Sequence, residues 1–271
     1  MTGRAGRRMP PVRKSLGQHF LTDRRTRRRI IETLAPRADE TIVEIGPGRG
    51  ALTDLLRERA GRVVAIEYDR ALAAILTERY AGDVRMRVVQ ADVLDIHLAE
   101  AAGGPFALIG NVPYNITTPI LFHALRPPRP TRAVFLVQRE VADRMGAAPG
   151  SRDYGALSVN LQALTAVRTC FGVPGAAFSP RPKVDSAVVK LTPLAHPIVG
   201  VAEEQGFREM VQAAFGMRRK QMGRVVRGLV PATRESATDL LAELSIAVDV
   251  RPETLTVEQF AALFRRLRAS D

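Results

Sequence analysis

Thr41-Ile42-Val43-Glu44-Ile45-Gly46-Pro47-Gly48-Arg49-Gly50-Ala51-Leu52-Thr53 decides the fold. Its first five residues are an apolar, β-branched run of strand length. Three alternate glycines follow, and Ala51 to Arg59 then reads as a helix. Strand, glycine-rich turn and helix form the first unit of a nucleotide-binding α/β fold, where glycines let the backbone approach a ligand that a Cβ would strike. A dinucleotide fingerprint reads G-x-G-x-x-G and opens on a pyrophosphate. Here Gly46, Gly48 and Gly50 place the third glycine one position early, after an acid inside the strand, Glu44. That version of the turn goes with S-adenosylmethionine.

Downstream, the pattern alternates strand and helix. Arg62 to Ile66 is the second strand and ends at Glu67. An acid about twenty residues past the glycines is placed to accept ribose hydroxyls. Met86 to Val89 is the third strand, followed by Asp92, which can accept from an adenine amino group. Phe106 to Ile109 is the fourth and runs into Gly110-Asn111-Val112-Pro113-Tyr114-Asn115. Pro113 stops the ladder, so an amide and an aromatic meet at a strand end, where open α/β sheets bind ligands. Thr117 to Ala124 is a helix, Ala133 to Val137 a fifth strand and Tyr154 to Ala166 a further helix. Val167 to Gly172 and Val184 to Leu191 close the sheet, with a proline-stiffened hairpin loop, Phe178 to Ser186, between them.

From about Pro193 the periodicity is helical only: 202–215, 220–228, 235–244 and 257–268. The chain is thus read as a basic arm without fixed structure over 1–14, a Rossmann-like class I methyltransferase domain over 15–195 and a small all-helical domain over 196–271. No internal repeat is present.

The acceptor is read from the motif at Asn111. An adenine N6 amine is a weak nucleophile because its lone pair is delocalised into the ring. The Asn111 side-chain oxygen and the Pro113 carbonyl can accept hydrogen bonds from that amine and favour a pyramidal nitrogen. Tyr114 can stack on one face of the base, and Phe178 is the candidate for the other. No strong general base is required, since the nitrogen becomes acidic as it is methylated.

Composition narrows the rest. Of 271 residues, 46% are hydrophobic, enough for a core, yet no apolar run approaches a membrane span. The arginine-rich start lacks the apolar region of a secretory signal. A single cysteine, Cys170, excludes a disulfide framework, and four histidines lie scattered without metal-ligand spacing. A cytoplasmic, metal-free protein is expected. The net charge of +12 points to a polyanion. It concentrates in the first thirty residues, Arg24 to Arg29 included, and again at Arg218, Arg219, Lys220 and Arg224. The loop cations Arg181 and Lys183 join the second group as candidate RNA contacts, and such contacts position without reading sequence.

The sequence resembles the KsgA (RsmA) family of ribosomal RNA adenine dimethyltransferases from about Lys14 onward. The resemblance rests on Gln18-His19-Phe20-Leu21, the Glu44–Thr53 turn, Gly110–Pro119, Phe178–Ser186 and Ala214-Phe215-Gly216-Met217-Arg218-Arg219-Lys220. It implies dimethylation of two adjacent adenosines near the 3′ end of small-subunit (16S) ribosomal RNA, late in 30S assembly, by a monomer acting on an immature particle. It implies S-adenosylmethionine contacts from His19, Leu21, Gly46, Glu67, Asp92 and Asn111, beside Gly48 of the turn. Two positions depart from the family: His19 stands where Asn is usual, and Val112 where Leu is usual. Large-subunit methylases of the antibiotic-resistance type share the fold and the Asn-x-Pro-aromatic motif. The Arg218–Lys220 segment and the length of the helical domain favour the small-subunit enzyme. An RNA-binding assembly factor that needs no catalysis is disfavoured by intact Gly46, Glu67, Asp92 and Asn111.

Overall fold

A computed structural model describes residues 10–13 and 16–269; most of the expected basic arm lies outside them. The chain divides into two compact units. The first takes residues up to Ala142 together with Arg168–Thr192, and the second takes Asp143–Val167 together with residues from Pro193 onward.

The first unit opens with β1 (Phe20–Leu21) and α1 (Arg24–Leu34). β2 (Thr41–Ile45), α2 (Thr53–Arg59), β3 (Arg62–Glu67), α3 (Arg70–Arg79) and β4 (Met86–Gln90) follow. Then come α4 (Leu98–Ala102), β5 (Phe106–Asn111), α5 (Thr117–Ala124), β6 (Ala133–Gln138) and α6 (Arg139–Met145). Beyond α7 (Ala156–Gln162), the strands β7 (Thr165–Val173), β8 (Phe178–Ser179) and β9 (Ser186–Pro193) complete the set. One seven-stranded sheet runs β4-β3-β2-β5-β6-β9-β7. β2 pairs in parallel with both β3 and β5, and β9 lies antiparallel to β6. The chain leaves β2 for β3 and β4, then returns to lay β5 on the other side of β2. That reversal is the topological switch point at which such sheets bind ligands.

The strands are continuous apolar runs because both faces are covered. Ile42, Val43, Val63, Val64, Leu108 and Ile109 are essentially inaccessible to solvent. α1 starts at Asp23, whose Oδ2 accepts from the Thr26 N–H at 2.6 Å. It buries Ile30, Ile31 and Leu34 on the apolar cluster that also holds Leu21 and Phe178. Its C-terminus is held by Arg132, which donates to the Leu34 and Ala35 carbonyls at 2.6 and 2.8 Å. The same guanidinium forms a two-point pair with buried Glu40 at 2.6 and 2.7 Å.

The second unit is helical: α7, α8 (Glu204–Gly216), α9 (Met222–Leu229), α10 (Arg234–Glu243) and α11 (Val257–Arg268). The expected boundary at residue 195 is corrected here, because residues 143–167 belong to this unit. Tyr154, Val159 and Leu164 lie in the apolar cluster of Phe207, Val211 and Phe260. Tyr154 donates its hydroxyl to the Leu255 carbonyl at 2.9 Å. The helix expected over Tyr154–Ala166 is shorter, and Thr165, already a strand residue, returns its hydroxyl to the Leu161 carbonyl at 2.9 Å. The loop at 178–186 is also more than a hairpin. Its Phe178–Ser179 forms β8, paired antiparallel with β1 through Phe20↔Ser179 and Leu21↔Phe178.

Candidate active site

The ends of β2 and β5 meet at the switch point, with Ile45 opposite Gly110. Gly46 turns the chain with φ +66° and donates its N–H to the Ile66 carbonyl at 3.0 Å. A Cβ there would sit 3.3 Å from the Asn111 carbonyl oxygen, so the glycine lets the two strand ends close up. Gly50 has a different task from the ligand clearance expected of it. A Cβ at that point would lie 2.7 Å from Arg79 Nη1 and 2.9 Å from the Tyr80 hydroxyl, so the third glycine seats the turn on the end of α3.

Gln18, His19, Leu21, Gly46, Glu67 and Asn111 are among the residues that line one cavity of about 260 Å³. That is near the lower end of the roughly 300–1,000 Å³ usual for small-molecule pockets. Glu67 ends β3 and is almost fully buried. Its Oε2 accepts the Gly48 N–H at 2.9 Å and its Oε1 the Asp69 N–H at 2.8 Å. Each carboxylate oxygen retains a lone pair for a further donor. Burial raises its pKa, and these two N–H groups pull against that rise. Asp69 in turn anchors the entering chain: Gln18 Nε2 donates to it at 3.1 Å, and Arg13 Nε lies 3.5 Å from the same oxygen.

Glu44, also on the cavity wall, is the group that sequence reasoning undervalued. It sits inside β2, 2% exposed, and burial pushes its carboxyl up to about 8. Its Oε2 has no hydrogen-bond partner among the described residues. An acid in the middle of an otherwise apolar strand was the only sequence signal of this.

At the other side stand Asn111, Pro113 and Tyr114. Asn111 donates Nδ2–H to the His19 carbonyl at 3.1 Å, which leaves Oδ1 as an acceptor. The Tyr114 ring stacks against the His19 ring, centroids 5.6 Å apart and planes 26° apart. Its hydroxyl is 2.6 Å from Ser186 Oγ, and burial raises its pKa, so it stays a neutral phenol. His19 Nδ1–H donates to the Pro180 carbonyl at 2.9 Å. The ring at position 19 thus braces Tyr114.

Two expectations are revised, for Phe178 and for the Pro113 carbonyl. Phe178 is 4% exposed within the core cluster, paired through its backbone with Leu21, and its ring is not on the cavity wall. The Pro113 carbonyl already accepts from the Ile116 N–H at 3.3 Å and the Thr117 hydroxyl at 3.1 Å, so both of its lone pairs are engaged. Asp92 caps the 93–95 turn, its Oδ1 accepting the Leu94 N–H at 3.0 Å, which leaves Oδ2 for a further donor. A short polar residue before a turn caps it for reasons the strand pattern does not show.

The candidate RNA contacts fall in both units. In the first, Arg181 and Lys183 are exposed. In the second, Arg219, Lys220 and Arg224 are exposed, whereas Arg218 is paired with Glu253 at 3.2 Å and donates to the Arg152 carbonyl at 3.0 Å. Among the described residues no helix is long and apolar enough to cross a membrane. No group of His, Cys, Asp and Glu among them can hold a metal ion.

The donor set suits S-adenosylmethionine. Glu67, a carboxylate with spare lone pairs on the cavity wall, is able to accept from ribose hydroxyls. A family model described as ribosomal RNA adenine dimethylase matches residues 10–269. Over 256 residues the chain is 44% identical to the ribosomal RNA small subunit methyltransferase A of Xanthomonas axonopodis pv. citri (strain 306), covering 93% of this chain and 95% of that one. The fold is similar to that of a dimethyladenosine transferase from Plasmodium falciparum, with TM-score 0.80 and 24% identity over 93% of this chain and 98% of that one. The 23S rRNA methyltransferase ErmE is 32% identical, with TM-score 0.69, over 92% of this chain and 99% of that one.

Proposed function

The chain belongs to the ribosomal RNA adenine dimethylase family and is an rRNA methyltransferase that uses S-adenosylmethionine; on that footing we propose its target and the roles of its residues. It dimethylates the N6 amines of two adjacent adenosines near the 3′ end of 16S rRNA, in an immature 30S particle, and releases S-adenosylhomocysteine. The observation that carries the site assignment is the Asn111 amide, turned by the His19 carbonyl so that Oδ1 is the acceptor, beside the Tyr114 ring on one cavity wall.

When bound, S-adenosylmethionine supplies an electrophilic methyl on a positive sulfonium. Glu67 accepts the ribose hydroxyls, Gly46 and Gly48 shape the floor, and His19 and Leu21 close the wall contributed by the entering chain. The target adenosine is unpaired or flipped before it enters. Tyr114, braced from behind by His19, offers its free face to the adenine ring. Asn111 Oδ1 accepts from the N6 amine, which draws the nitrogen lone pair out of ring conjugation and aims it along the line of attack. As the N–C bond forms, the nitrogen turns acidic and its proton passes to water. Holding the two centres at near-attack distance supplies much of the rate, as effective molarities of ~10⁵–10⁸ M illustrate. Arg181, Lys183, Arg219, Lys220 and Arg224 hold the RNA backbone; Arg218 contributes through its ion pair.

The likeness to the 23S methyltransferase gives large-subunit RNA as the second reading. Methyl transfer from labelled cofactor to immature small subunits and, separately, to large-subunit RNA separates the two. The expected product is a pair of N6,N6-dimethyladenosines near the 16S 3′ end. Label confined to large-subunit RNA overturns the proposal.

A further inference from the structure

We propose that the solvent face of α1 is an additional RNA-backbone site, on which Arg24, Arg25 and Arg28 hold phosphates of the strand whose base enters the cavity. The proposal rests on the reading of this chain as an RNA methyltransferase, and names a surface that reading did not use.

α1 is strongly two-sided. Ile30, Ile31 and Leu34 are buried, while Arg24, Arg25, Arg28 and Arg29 are exposed. Residues three and four apart on a helix lie about 5–6 Å from one another at Cβ. The four arginines therefore form a two-by-two lattice, 24 with 28 and 25 with 28 and 29. Planar guanidinium forks at that spacing suit successive phosphates better than they suit one another.

The lattice works against the helix that carries it. Like charges at i,i+4 repel, and cations in a first turn oppose the positive end of the helix dipole. The first turn of α1 itself carries no acid, and the one carboxylate at its start, Asp23, is engaged in capping the Thr26 N–H. Among the described residues, Arg24, Arg25 and Arg28 make no ion pair; the acids near them are Asp23, which caps the helix, Asp54, which lies 3.7 Å from Arg79, and Glu32, one turn beyond Arg28. A polyanion relieves both repulsions at once.

The platform is rigid. Arg27, the arginine that turns inward, donates to the Leu21 and Thr22 carbonyls at 3.1 and 2.6 Å and ties α1 to β1. Arg29 rests its guanidinium 3.8 Å from the centre of the Phe171 ring on β7. The platform also leads to the active site. A depression between α1 and α2 is lined by Arg24, Arg27, Arg28, Ala51, Asp54 and Leu55. Arg27, Ala51 and Asp54 line the cofactor cavity as well. That continuity favours RNA over a membrane surface or an acidic protein, since neither of those needs a path to the cavity.

The test is the salt dependence of RNA binding by the full-length protein. The probes are a 3′ fragment of 16S rRNA and a single-stranded poly(U) oligonucleotide. Arg24→Gln/Arg25→Gln/Arg28→Gln should lower the slope of log K against log salt by about 2 to 3, since each phosphate contact contributes ~0.7 to 0.9. The matching triple Lys variant should keep most of the slope. S-adenosylmethionine affinity should stay as in the wild type, which marks the loss as one of RNA grip. Each single Gln variant should lose about 0.7 to 0.9, so the result does not depend on the triple folding. An unchanged slope in the folded variants overturns the proposal. So does an unchanged RNA slope with lost binding to phosphatidylserine vesicles, which would assign the face to membranes. Methylation of some other RNA by the wild type would instead overturn the target proposed above and leave this slope experiment intact.

Discussion

The Asn111 side-chain amide donates to the His19 backbone carbonyl at 3.1 Å, across 92 residues of sequence. A carbonyl only accepts, so this bond fixes which end of the amide faces it. Asn111→Ala should lower turnover by about 10²–10³-fold, the range found when one preorganised hydrogen-bonding group is removed from a site. Cofactor affinity should stay within several-fold. Asn111→Asp should be no milder, because a carboxylate cannot donate to the His19 carbonyl. Turnover near wild type in either variant, measured with labelled cofactor, would remove Asn111 from the mechanism.

Tyr114 offers a ring to the base and a hydroxyl to Ser186, and the two can be separated. Tyr114→Phe keeps the ring and the His19 stack, so the acceptor KM should rise only modestly. Tyr114→Ala removes the stacking face and should cost about 1–3 kcal/mol in kcat/KM for RNA. Equal penalties for Phe and Ala would place the role in the hydroxyl. His19→Asn removes the ring behind Tyr114 and should raise the RNA KM more than the cofactor Kd.

Glu44 predicts a pH dependence of stability. Its carboxyl titrates at about 8 in the folded chain against 4.5 as a free side chain, because burial disfavours the charge. The folded state therefore keeps a proton that the unfolded state gives up above its own pKa. Stability from this group should be fully present below 4.5 and should fall as pH rises toward 8. The loss approaches about 1.4 kcal/mol per pH unit at its steepest. Glu44→Gln should flatten that part of the melting temperature profile. Parallel profiles for the two proteins between pH 5 and 8 would show that the proton is not held there.

Arg132 and Glu40 predict a stability effect away from the chemistry. Burial alone would raise the Glu40 pKa; the Arg132 guanidinium, with the Arg37 N–H and charge, outweighs it, so the net shift is downward. Arg132→Ala leaves a buried carboxylate and the last carbonyls of α1 without their donor, at a cost of about 3–5 kcal/mol in chemical unfolding. A cost under ~1 kcal/mol would put the pair with ordinary surface bridges.

The sequence reading succeeded where the signal is local. The glycine turn, the strands on either side of it and the bounds of α5 and α11 follow from runs of residues that need no distant partner. Thr256 and Gln259 form a reciprocal cap that starts α11, a pattern visible within four residues. It stopped short where a residue's partner is remote or sits in an irregular turn. Leu157, Leu161 and Leu164 announce a helix, yet their spacing does not say which core they join. The Pro113 carbonyl has the right chemistry for a ligand, and the turn beside it uses it. Phe178 looked available as an aromatic in a loop, and a two-residue pairing with β1 buries it.

That pairing of β1 with β8 has a consequence for how the site comes into being. The glycine turn and its flanking strands need only residues close in sequence, and low sequence separation favours early formation. The wall carrying His19 is fastened by contacts to Phe178, Ser179 and Pro180, as many as 161 residues away. Closing so long a loop is entropically expensive until the last strands of the sheet are in place. During synthesis the floor of the cavity therefore precedes its wall. A chain cut short before residue 178 would carry every glycine of the turn and still lack the partners that fasten His19 behind Tyr114.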